Sequence, residues 1–358
     1  MPETKGTDVQ LTRIAAGFVH TCGLDVSGAA FCWGNNDYSQ LGAEPGTTCG
    51  GRPCSTQPVA VRGGRRFVDI AAGWVQSCGV GADGRIWCWG GGADDKRGYL
   101  GDGTLRRSVD PVMVVADSQF ASVALGDGHA CALTRSGVAY CWGDNDWGQV
   151  GDGTRTDRST PVGIAGGTRF LSLSAGAYHT CAVTVQGVAL CWGDNRWGQL
   201  GTGDVAYNSV ALSQRLPAAV AGDARYREVA AGWEHSCGVT TDGVTHCWGR
   251  NEFARQLGDG SAVTHRGIPQ PIVDDRGFIA LTAGALSTCG RTATGESFCW
   301  GGNYYGMLGD GSASNGVDRP VRTAGGPFSD IAMGQSHACG LSSDRRLWCW
   351  GDRSAGQF

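Results

Sequence analysis

The string Cys-x9-Cys-Trp-Gly occurs seven times in the chain, and no other feature constrains the fold as strongly. Successive copies begin 50 to 56 residues apart and extend through the whole sequence of 358 residues. A period of this size is typical of repeat architectures, in which each repeat is one supersecondary unit that packs against its neighbours. We therefore expect a single domain, residues 1–358, built from seven copies of one unit.

Each unit contains four short apolar runs. The first ends in a small-residue turn such as Ala15-Ala16-Gly17, and a His-x-Cys run, a glycine turn, the Cys-Trp-Gly run and a Pro-Val segment follow. Apolar and β-branched runs between glycine turns indicate antiparallel strands, and the 61 glycines exclude a helical solenoid. The prediction is an all-β, seven-bladed β-propeller of four-stranded antiparallel blades. Closure of the ring protects strand edges and buries the Cys-Trp-Gly tryptophans between blades.

The boundaries of the units follow from the repeated motifs. The approximate repeats are residues 7–63, 64–117, 118–167, 168–223, 224–275, 276–325 and 326–358. The seventh repeat ends before a Pro-Val segment appears, and alignment of Gly17 with Gly334 places residues 2–5 opposite residues 320–323. Residues 1–6 are therefore expected to complete the last blade. The alternative is that the sequence is a fragment of a longer protein.

The two cysteines of each repeat are placed for a disulfide bond. Residues 134–138 suit a three-residue hairpin loop with Gly137 in the left-handed conformation. Counting outward places Cys131 opposite Cys141, where Cα atoms lie about 4.5 Å apart and a disulfide can form. Arg345 alone breaks the pattern of loop glycines, so the last turn should be strained or of another type. The predicted pairs are Cys22–Cys32, Cys49–Cys54, Cys78–Cys88, Cys131–Cys141, Cys181–Cys191, Cys237–Cys247, Cys289–Cys299 and Cys339–Cys349.

Metal binding is the alternative use of so many thiols. Zinc sites favour short Cys-x2–4-Cys knuckles in pairs, and only Cys49 and Cys54 come near that spacing. We therefore expect no metal. Eight disulfides in a chain of this size predict an oxidising location, either extracellular, at the cell surface or in the periplasm. The first ten residues lack the apolar core of a signal peptide, so an export signal is expected to be absent from this sequence.

Charge and motif content argue against several functional classes. The formal net charge of −4 gives no overall attraction to phosphate backbones, so nucleic acid is not an expected partner. No apolar run approaches the length of a membrane-spanning helix, so membrane insertion is not expected. The motifs of zinc proteases, serine hydrolases and phosphate-binding loops are absent from the sequence. We predict no cofactor and no catalytic residue.

Two recurring polar patterns have structural explanations. A histidine precedes the first hairpin cysteine in five repeats, and Gln76 and Ser287 replace it in the other two. These side chains are expected to form hydrogen bonds within blades, although a ring of metal ligands along the channel is the alternative. The Gly-Asp-Gly turns and the segment 144–146 supply too few acidic groups for a calcium loop, and Asp in tight turns caps its own backbone. The five histidines are His20, His129, His179, His235 and His337.

The combined signature, Ala-Ala-Gly-x-x-His followed by Cys-Trp-Gly-x-Asn-x-x-Gly-Gln-Leu-Gly-Asp-Gly, resembles the regulator of chromosome condensation repeat family of seven-bladed propellers. Members of that family include a nuclear exchange factor, a plant ultraviolet-B photoreceptor, ubiquitin-ligase accessory domains and a secreted β-lactamase inhibitory protein. The paired cysteines look most like those of the secreted bacterial members. The photoreceptor needs clustered tryptophans directly after Ala-Ala-Gly, and only two occur at this post-glycine position here. The post-glycine residues are Phe18, Trp74, Asp127, Ala177, Trp233, Ala285 and Gln335.

The long insertions identify the face that is expected to bind a partner. They all fall in the connection from the third to the fourth strand, at residues 44–56, 90–99, 204–216 and 262–270. In an up-and-down blade this connection and the first-to-second connection emerge on one face, which we call the insertion face. Binding loops on a rigid scaffold are expected there. The candidate binding residues are Phe18, Trp74, Asp127, Tyr178, Trp233 and Glu234.

Two functions remain open at this stage. The first is a secreted, monomeric, non-enzymatic module that recognises a protein or glycan, for example as an inhibitor of an extracellular enzyme. The second is an extracellular enzyme such as a lyase, with its site on the insertion face or in the channel. A polar cluster with perturbed protonation would favour the enzyme, and an aromatic surface the binding module. The aromatic residues before Gly-Gln-Leu are expected to belong to the repeat core, namely Tyr38, Trp147, Trp197, Phe253 and Tyr305.

Overall fold

The predicted propeller is confirmed by a computed structural model, which describes residues 1–6, 9–92, 97–203 and 212–358. The described strands form seven antiparallel sheets, and the first strand of each sheet packs against those of its two neighbours, so that the ring closes around a central channel. A 3-10 turn, Tyr304–Gly306, follows the third strand of blade 6. Within the described residues, no helix has the length and apolar character needed to cross a membrane.

The strands run outward from the channel in chain order. The first strands of blades 1 to 7 are Leu11–Ala16, Phe67–Ala72, Phe120–Leu125, Phe170–Ala175, Tyr226–Ala231, Phe278–Ala283 and Phe328–Met333. The second strands are His20–Asp25, Gln76–Gly81, His129–Thr134, His179–Thr184, His235–Thr240, Ser287–Thr292 and His337–Ser342. The third strands are Ala30–Asn35, Ile86–Gly90, Ala139–Gly143, Ala189–Gly193, Thr245–Arg250, Ser297–Asn303 and Leu347–Gly351.

The fourth strands form the outer edge of the ring. In blades 1 to 6 they are Arg52–Ala60, Ser108–Met113, Arg158–Gly163, Gln214–Ala219, His265–Pro271 and Ser314–Arg322. Blade 1 carries an additional strand, Thr47–Cys49, which pairs with the inserted part of Arg52–Ala60. The N-terminal strand Glu3–Thr4 takes the fourth position of blade 7, with Glu3 opposite Cys349.

One disulfide closes the central hairpin of every blade, as the register predicted. Cys131 lies opposite Cys141, and the Cα atoms are 4.1 Å apart in all seven hairpin bridges. Gly137 has the expected positive φ of 81°. Arg345 adopts the same left-handed conformation at φ 64°, so the last turn keeps its type and is strained by a side chain. The structure also pairs Cys49 with Cys54.

The Cys-Trp-Gly tryptophans are 0–1% exposed and lie between blades. Trp142 of blade 3, for example, shares a buried cluster with Cys78, Cys88 and Leu100 of blade 2. Trp192 Nε1 donates a hydrogen bond of 2.8 Å to the carbonyl of Gln149, in the Gly-Gln-Val segment of the preceding blade. Trp89 and Trp248 make the same contact with the carbonyls of Gln40 and Gln199.

The repeated histidines connect neighbouring blades, so the expectation of hydrogen bonds within blades is wrong. Each Nε2 lies 2.7–2.9 Å from a hydroxyl oxygen on the second strand of the next blade. Where the next blade carries Ala130 or Ala338 at that position, the histidine is replaced by Gln76 or Ser287. Histidine and hydroxyl are therefore present or absent together at all seven interfaces. The pairs are His20–Ser77, His129–Thr180, His179–Ser236, His235–Thr288 and His337–Thr21.

The hydrogen bonds also define the protonation state of the histidines. Ser236 Oγ donates to the carbonyl of Gln199 at 2.9 Å, so its single proton is used and it accepts a hydrogen bond from His179 Nε2. Nε2 therefore carries a proton. Nδ1 has no hydrogen-bond partner in the described structure, and burial disfavours the charged form, so the ring is neutral. Burial, with smaller contributions from His129 and His235, lowers the pKa of His179 to about 3.

Blades 7 and 1 close the ring through contacts of the same kinds. His337 Nε2 lies 2.7 Å from Thr21 Oγ1, and Trp33 Nε1 donates to the carbonyl of Gln357 at 2.7 Å. Beside the N-terminal strand, the Lys5 backbone N–H donates to the carbonyl of Leu347 at 2.8 Å. Residues from both ends of the sequence therefore meet at this junction.

We predict that deletion of residues 1–5 lowers the melting temperature, because blade 7 is left with three strands and an unpaired edge. The matched control is the double variant Glu3→Ala/Thr4→Ala, which keeps the backbone pairing and removes only exposed side chains. Differential scanning calorimetry compares the two. Equal melting temperatures for the deletion and the wild type would show that the N-terminal strand does not stabilise the ring.

We predict that His179→Gln makes the protein less sensitive to acid. The unfolded chain takes up a proton near pH 6.5 and the folded His179 only near pH 3, so stability falls as the pH drops through this window. At pH 5 the difference amounts to about 2 kcal/mol for one histidine. Between pH 7.5 and pH 5, the free energy of unfolding of the variant, measured with denaturant, should therefore rise by about 2 kcal/mol relative to that of the wild type. A stability difference that is independent of pH would contradict a neutral, buried ring.

Candidate binding site at the mouth of the central channel

Seven glycines set the distance between blades at one end of the channel. A β-carbon placed on any of them would lie 2.2–2.7 Å from the carbonyl oxygen of the equivalent glycine in the next blade. Real β-carbons do not approach oxygen that closely, so only glycine fits. This packing explains the small-residue turn of the repeat. The glycines are Gly17, Gly73, Gly126, Gly176, Gly232, Gly284 and Gly334.

The post-glycine residues converge over the channel because the glycines before them are packed in a ring. They line one pocket to which all seven blades contribute, and we call this pocket the channel mouth. Four predicted binding residues belong to its lining, namely Phe18, Trp74, Asp127 and Trp233. Gln335 also lines the mouth and is not among the predicted binding residues.

Three aromatic rings form a cluster across the channel mouth. The ring centroid of Phe18 is 5.9 Å from that of Trp74 and 6.3 Å from that of Trp233, with interplanar angles of 59° and 70°. Trp74 is 39% exposed, and the other two rings are partly buried. Blades 4 and 6 flank Trp233 with only Ala177 and Ala285, which leaves room for its indole. The two tryptophans are three blades apart in sequence, and both contact the ring of Phe18.

Asp127 lines the same pocket as this cluster and accepts a hydrogen bond from Trp233. Trp233 Nε1 donates a 2.6 Å hydrogen bond to Asp127 Oδ2, reaching past blade 4. Burial raises the pKa of Asp127 to about 6, and the charges of Asp144 and Glu234 also raise it. The hydrogen bond from Trp233 has the opposite effect, because it stabilises the ionised carboxylate. Burial raises the pKa of the Tyr178 phenol, and the nearby charge of Asp127 raises it further. The structure thus places all six predicted binding residues in one region.

Three ion pairs lie beside the channel mouth, on the side of blades 3 to 5. Arg97 pairs with Asp144, Arg196 with Asp194 at 3.0 Å, and Arg250 with Glu234. Two of these guanidinium groups also stack on rings. Arg196 lies 4.1 Å from the ring centroid of Trp147, and Arg250 lies 4.2 Å from that of Trp197. These arginines are not among the predicted binding residues, although Arg250 directly follows Cys-Trp-Gly, where blades 3 and 4 carry Asp.

The aromatic residues before Gly-Gln-Leu do not share one environment. Trp197 is 7% exposed, as expected for repeat core, whereas Phe253 and Tyr305 are 74% and 69% exposed, so the expectation is wrong for these two. Repeat five has one extra residue between Asn251 and Gln256, which displaces Phe253 from the repeat position. Parts of two insertions, residues 93–96 and 204–211, lie outside the described residues.

Three carboxylates lie close together beside the mouth, but the protein supplies their partners. Oxygen atoms of Asp144, Asp146 and Asp157 come within 4.8 Å of one another. Arg97 pairs with the first two, and Asp157 accepts a 2.8 Å hydrogen bond from the backbone N–H of Asn145. These contacts account for the three side chains as parts of a folded loop.

Comparison with known proteins identifies relatives along the whole ring. The human E3 ubiquitin-protein ligase HERC2 is 28% identical over 338 residues, which are 92% of this chain and 6% of that protein. The Arabidopsis thaliana ultraviolet-B receptor UVR8 is 32% identical over 299 residues, which are 82% of this chain and 55% of that protein. This chain therefore spans only part of the length of either relative.

The fold is shared with solved propellers. The structure of Prp20p from Saccharomyces cerevisiae superimposes with a TM-score of 0.80 at 20% identity, covering 96% of this chain and 84% of the yeast chain. The family model of the RCC1-like domain matches residues 2–324, and that of the regulator of chromosome condensation (RCC1) repeat matches residues 328–357. Seven blades, the repeated glycine turn and these matches agree, and the chain belongs to the RCC1-like domain family.

Proposed function

We propose that this protein is a secreted, non-enzymatic binding module that recognises a partner protein through the channel mouth. The observation that carries the proposal is the cluster of Phe18, Trp74 and Trp233. The repeat does not require a large ring at the post-glycine position, since Ala177 and Ala285 occupy it in other blades. Partly exposed aromatic side chains gathered in one pocket are typical of interface hot spots.

The relatives support a role in binding. The yeast protein Prp20p has binding properties toward Gsp1p and histones, and UVR8 is a receptor. The match to HERC2 covers 6% of that ligase, so its ligase activity gives no reason to expect catalysis from this chain. A propeller suits binding because its closed ring holds the side chains of the mouth in fixed positions.

The disulfides support an oxidising location. The structure pairs all sixteen cysteines, and the seven hairpin bridges are buried. Such bridges persist in extracellular and periplasmic proteins and are rare in the reducing cytosol. Each closes a short loop of the unfolded chain and stabilises the fold by about 2–3 kcal/mol in the chain-entropy model.

One observation favours the enzyme alternative, namely the raised pKa of Asp127 beside Tyr178. A carboxyl group that titrates near pH 6 is suited to acid–base chemistry. Its hydrogen-bond partner, however, is the Trp233 indole, and the five repeat histidines are fully buried between blades. Among the described residues, none of these histidines is placed to exchange a proton with Asp127. The surroundings of Asp127 therefore suit ligand binding better than acid–base catalysis.

We predict that Trp74→Ala and Trp233→Ala each weaken partner binding by about 1–4 kcal/mol without unfolding the protein. The partner is first isolated on immobilised wild-type protein from the native extracellular medium and identified by mass spectrometry. Dissociation constants of the purified pair are then measured by biolayer interferometry. Unchanged affinity for both variants would contradict binding at the channel mouth.

Two substitutions serve as controls for this measurement. Trp87→Ala removes an indole at the opposite end of blade 2, where Arg65 stacks on it, and should leave partner affinity unchanged. Trp142→Ala removes a fully buried indole between blades and should lower stability by about 3–5 kcal/mol. If Trp74→Ala and Trp233→Ala unfold the protein as severely as Trp142→Ala, both are core residues and the proposed surface fails.

A further inference from the structure

We propose that the channel mouth binds the ammonium group of a lysine side chain from the partner protein, between the aromatic cluster of Phe18, Trp74 and Trp233 and the carboxylate of Asp127. The inference rests on the proposed function and specifies its chemistry. It follows from three features of the mouth, namely an unpaired carboxylate, rings on several sides, and a narrow entrance formed by chain segments of all seven blades.

Asp127 differs from the acidic residues around it in having no cationic partner. Asp144, Asp194 and Glu234 are each paired with an arginine. No ion pair to Asp127 is found among the described residues, where its one hydrogen-bond donor is the neutral indole of Trp233. A buried carboxylate without a counter-charge is costly, so a ligand that brings a positive charge is favoured.

The three rings favour an ammonium group over a guanidinium group. A cation is attracted to the face of an aromatic ring, and tryptophan is the strongest of the three aromatic residues in this respect. Phe18 is inclined by 59° to Trp74 and by 70° to Trp233, so it forms a parallel slot with neither for a planar guanidinium. A compact ammonium group has no preferred plane and can contact inclined rings together. Arg196 and Arg250 instead each lie over a single ring outside the mouth, on Trp147 and Trp197.

Protonation of Asp127 should control this binding. Burial raises the pKa of Asp127 to about 6, with Asp144 and Glu234 acting in the same direction. The ammonium group binds the ionised carboxylate, so affinity should be full above pH 7 and about tenfold lower at pH 5. Tyr178, which also faces Asp127, has a raised pKa and stays neutral throughout this range. Arg97 and Arg250 form ion pairs with Asp144 and Glu234 on the same side of the mouth.

The test uses Nα-acetyl-lysine N-methylamide as the probe on the full chain. Its binding is followed through the indole N–H resonance of Trp233 in ¹⁵N NMR spectra, assigned by its loss in Trp233→Phe. The expected result is a saturable shift at pH 7.5. The neutral Nε-acetyl derivative and the arginine counterpart should each bind at least tenfold more weakly. Lowering the pH to 5 should weaken lysine binding about tenfold.

Two charge-matched variants complete the experiment. Asp127→Asn keeps an oxygen that can accept the Trp233 hydrogen bond and should weaken lysine binding at least tenfold. Asp117→Asn removes an exposed carboxylate from the connection between blades 2 and 3, on the face opposite the mouth, and should have no effect. Equal loss in both variants would show that the probe responds to net charge and would overturn the proposal.

The remaining outcomes separate this inference from the proposed function. Equal binding of the lysine probe and its neutral derivative would overturn cation recognition, as would tighter binding of the arginine probe or the absence of any shift. None of these outcomes affects the comparison of Trp74→Ala with Trp87→Ala on the intact partner. That comparison alone decides whether the channel mouth is the binding surface.

Discussion

The close backbone packing of the seven glycines at the channel mouth is the constraint on which the rest of the structure depends. Each glycine lies against the carbonyl oxygen of the next one, and no side chain fits between them. This spacing allows a histidine of one blade to reach a hydroxyl of the next, as His179 reaches Ser236 at 2.9 Å. It also places the residues that follow the glycines at the edge of one narrow opening, to which every blade contributes one side chain.

Features that depend on one repeat alone were predictable from the sequence. The register of Cys131 and Cys141 followed from counting outward from one hairpin turn, because strand pairing within a hairpin is local. Contacts between blades were harder to predict. The sequence shows that Gln76 replaces the histidine of one repeat and that Ala130 replaces the hydroxyl residue of the next. This correlation indicates a hydrogen bond only once it is known that consecutive repeats are neighbours in space. The cluster of Phe18 with Trp233 depends on side-chain reach across the ring, which no repeat pattern specifies.

The protein combines a uniform scaffold with a non-uniform mouth. Disulfides, buried tryptophans and hydrogen bonds between blades recur around the ring, whereas the post-glycine residues range from Ala177 to Trp74 and Asp127. A rigid frame of this kind reduces the conformational entropy lost on binding, so that a few exposed side chains can determine partner choice. The proposed recognition of a lysine side chain uses this asymmetry, since rings from blades 1, 2 and 5 and a carboxylate from blade 3 meet only because the ring is closed.

The most direct test of the role of glycine packing is the stability of Gly176→Ala compared with Gly163→Ala. A β-carbon at Gly176 would lie 2.3 Å from the carbonyl oxygen of Gly232, whereas one at Gly163 meets only a Tyr140 ring carbon at 4.0 Å. Denaturant unfolding should show a loss of about 2–3 kcal/mol for Gly176→Ala and a change within about 0.5 kcal/mol for Gly163→Ala. If Gly176→Ala were as stable as the wild type, glycine packing would not determine the distance between blades.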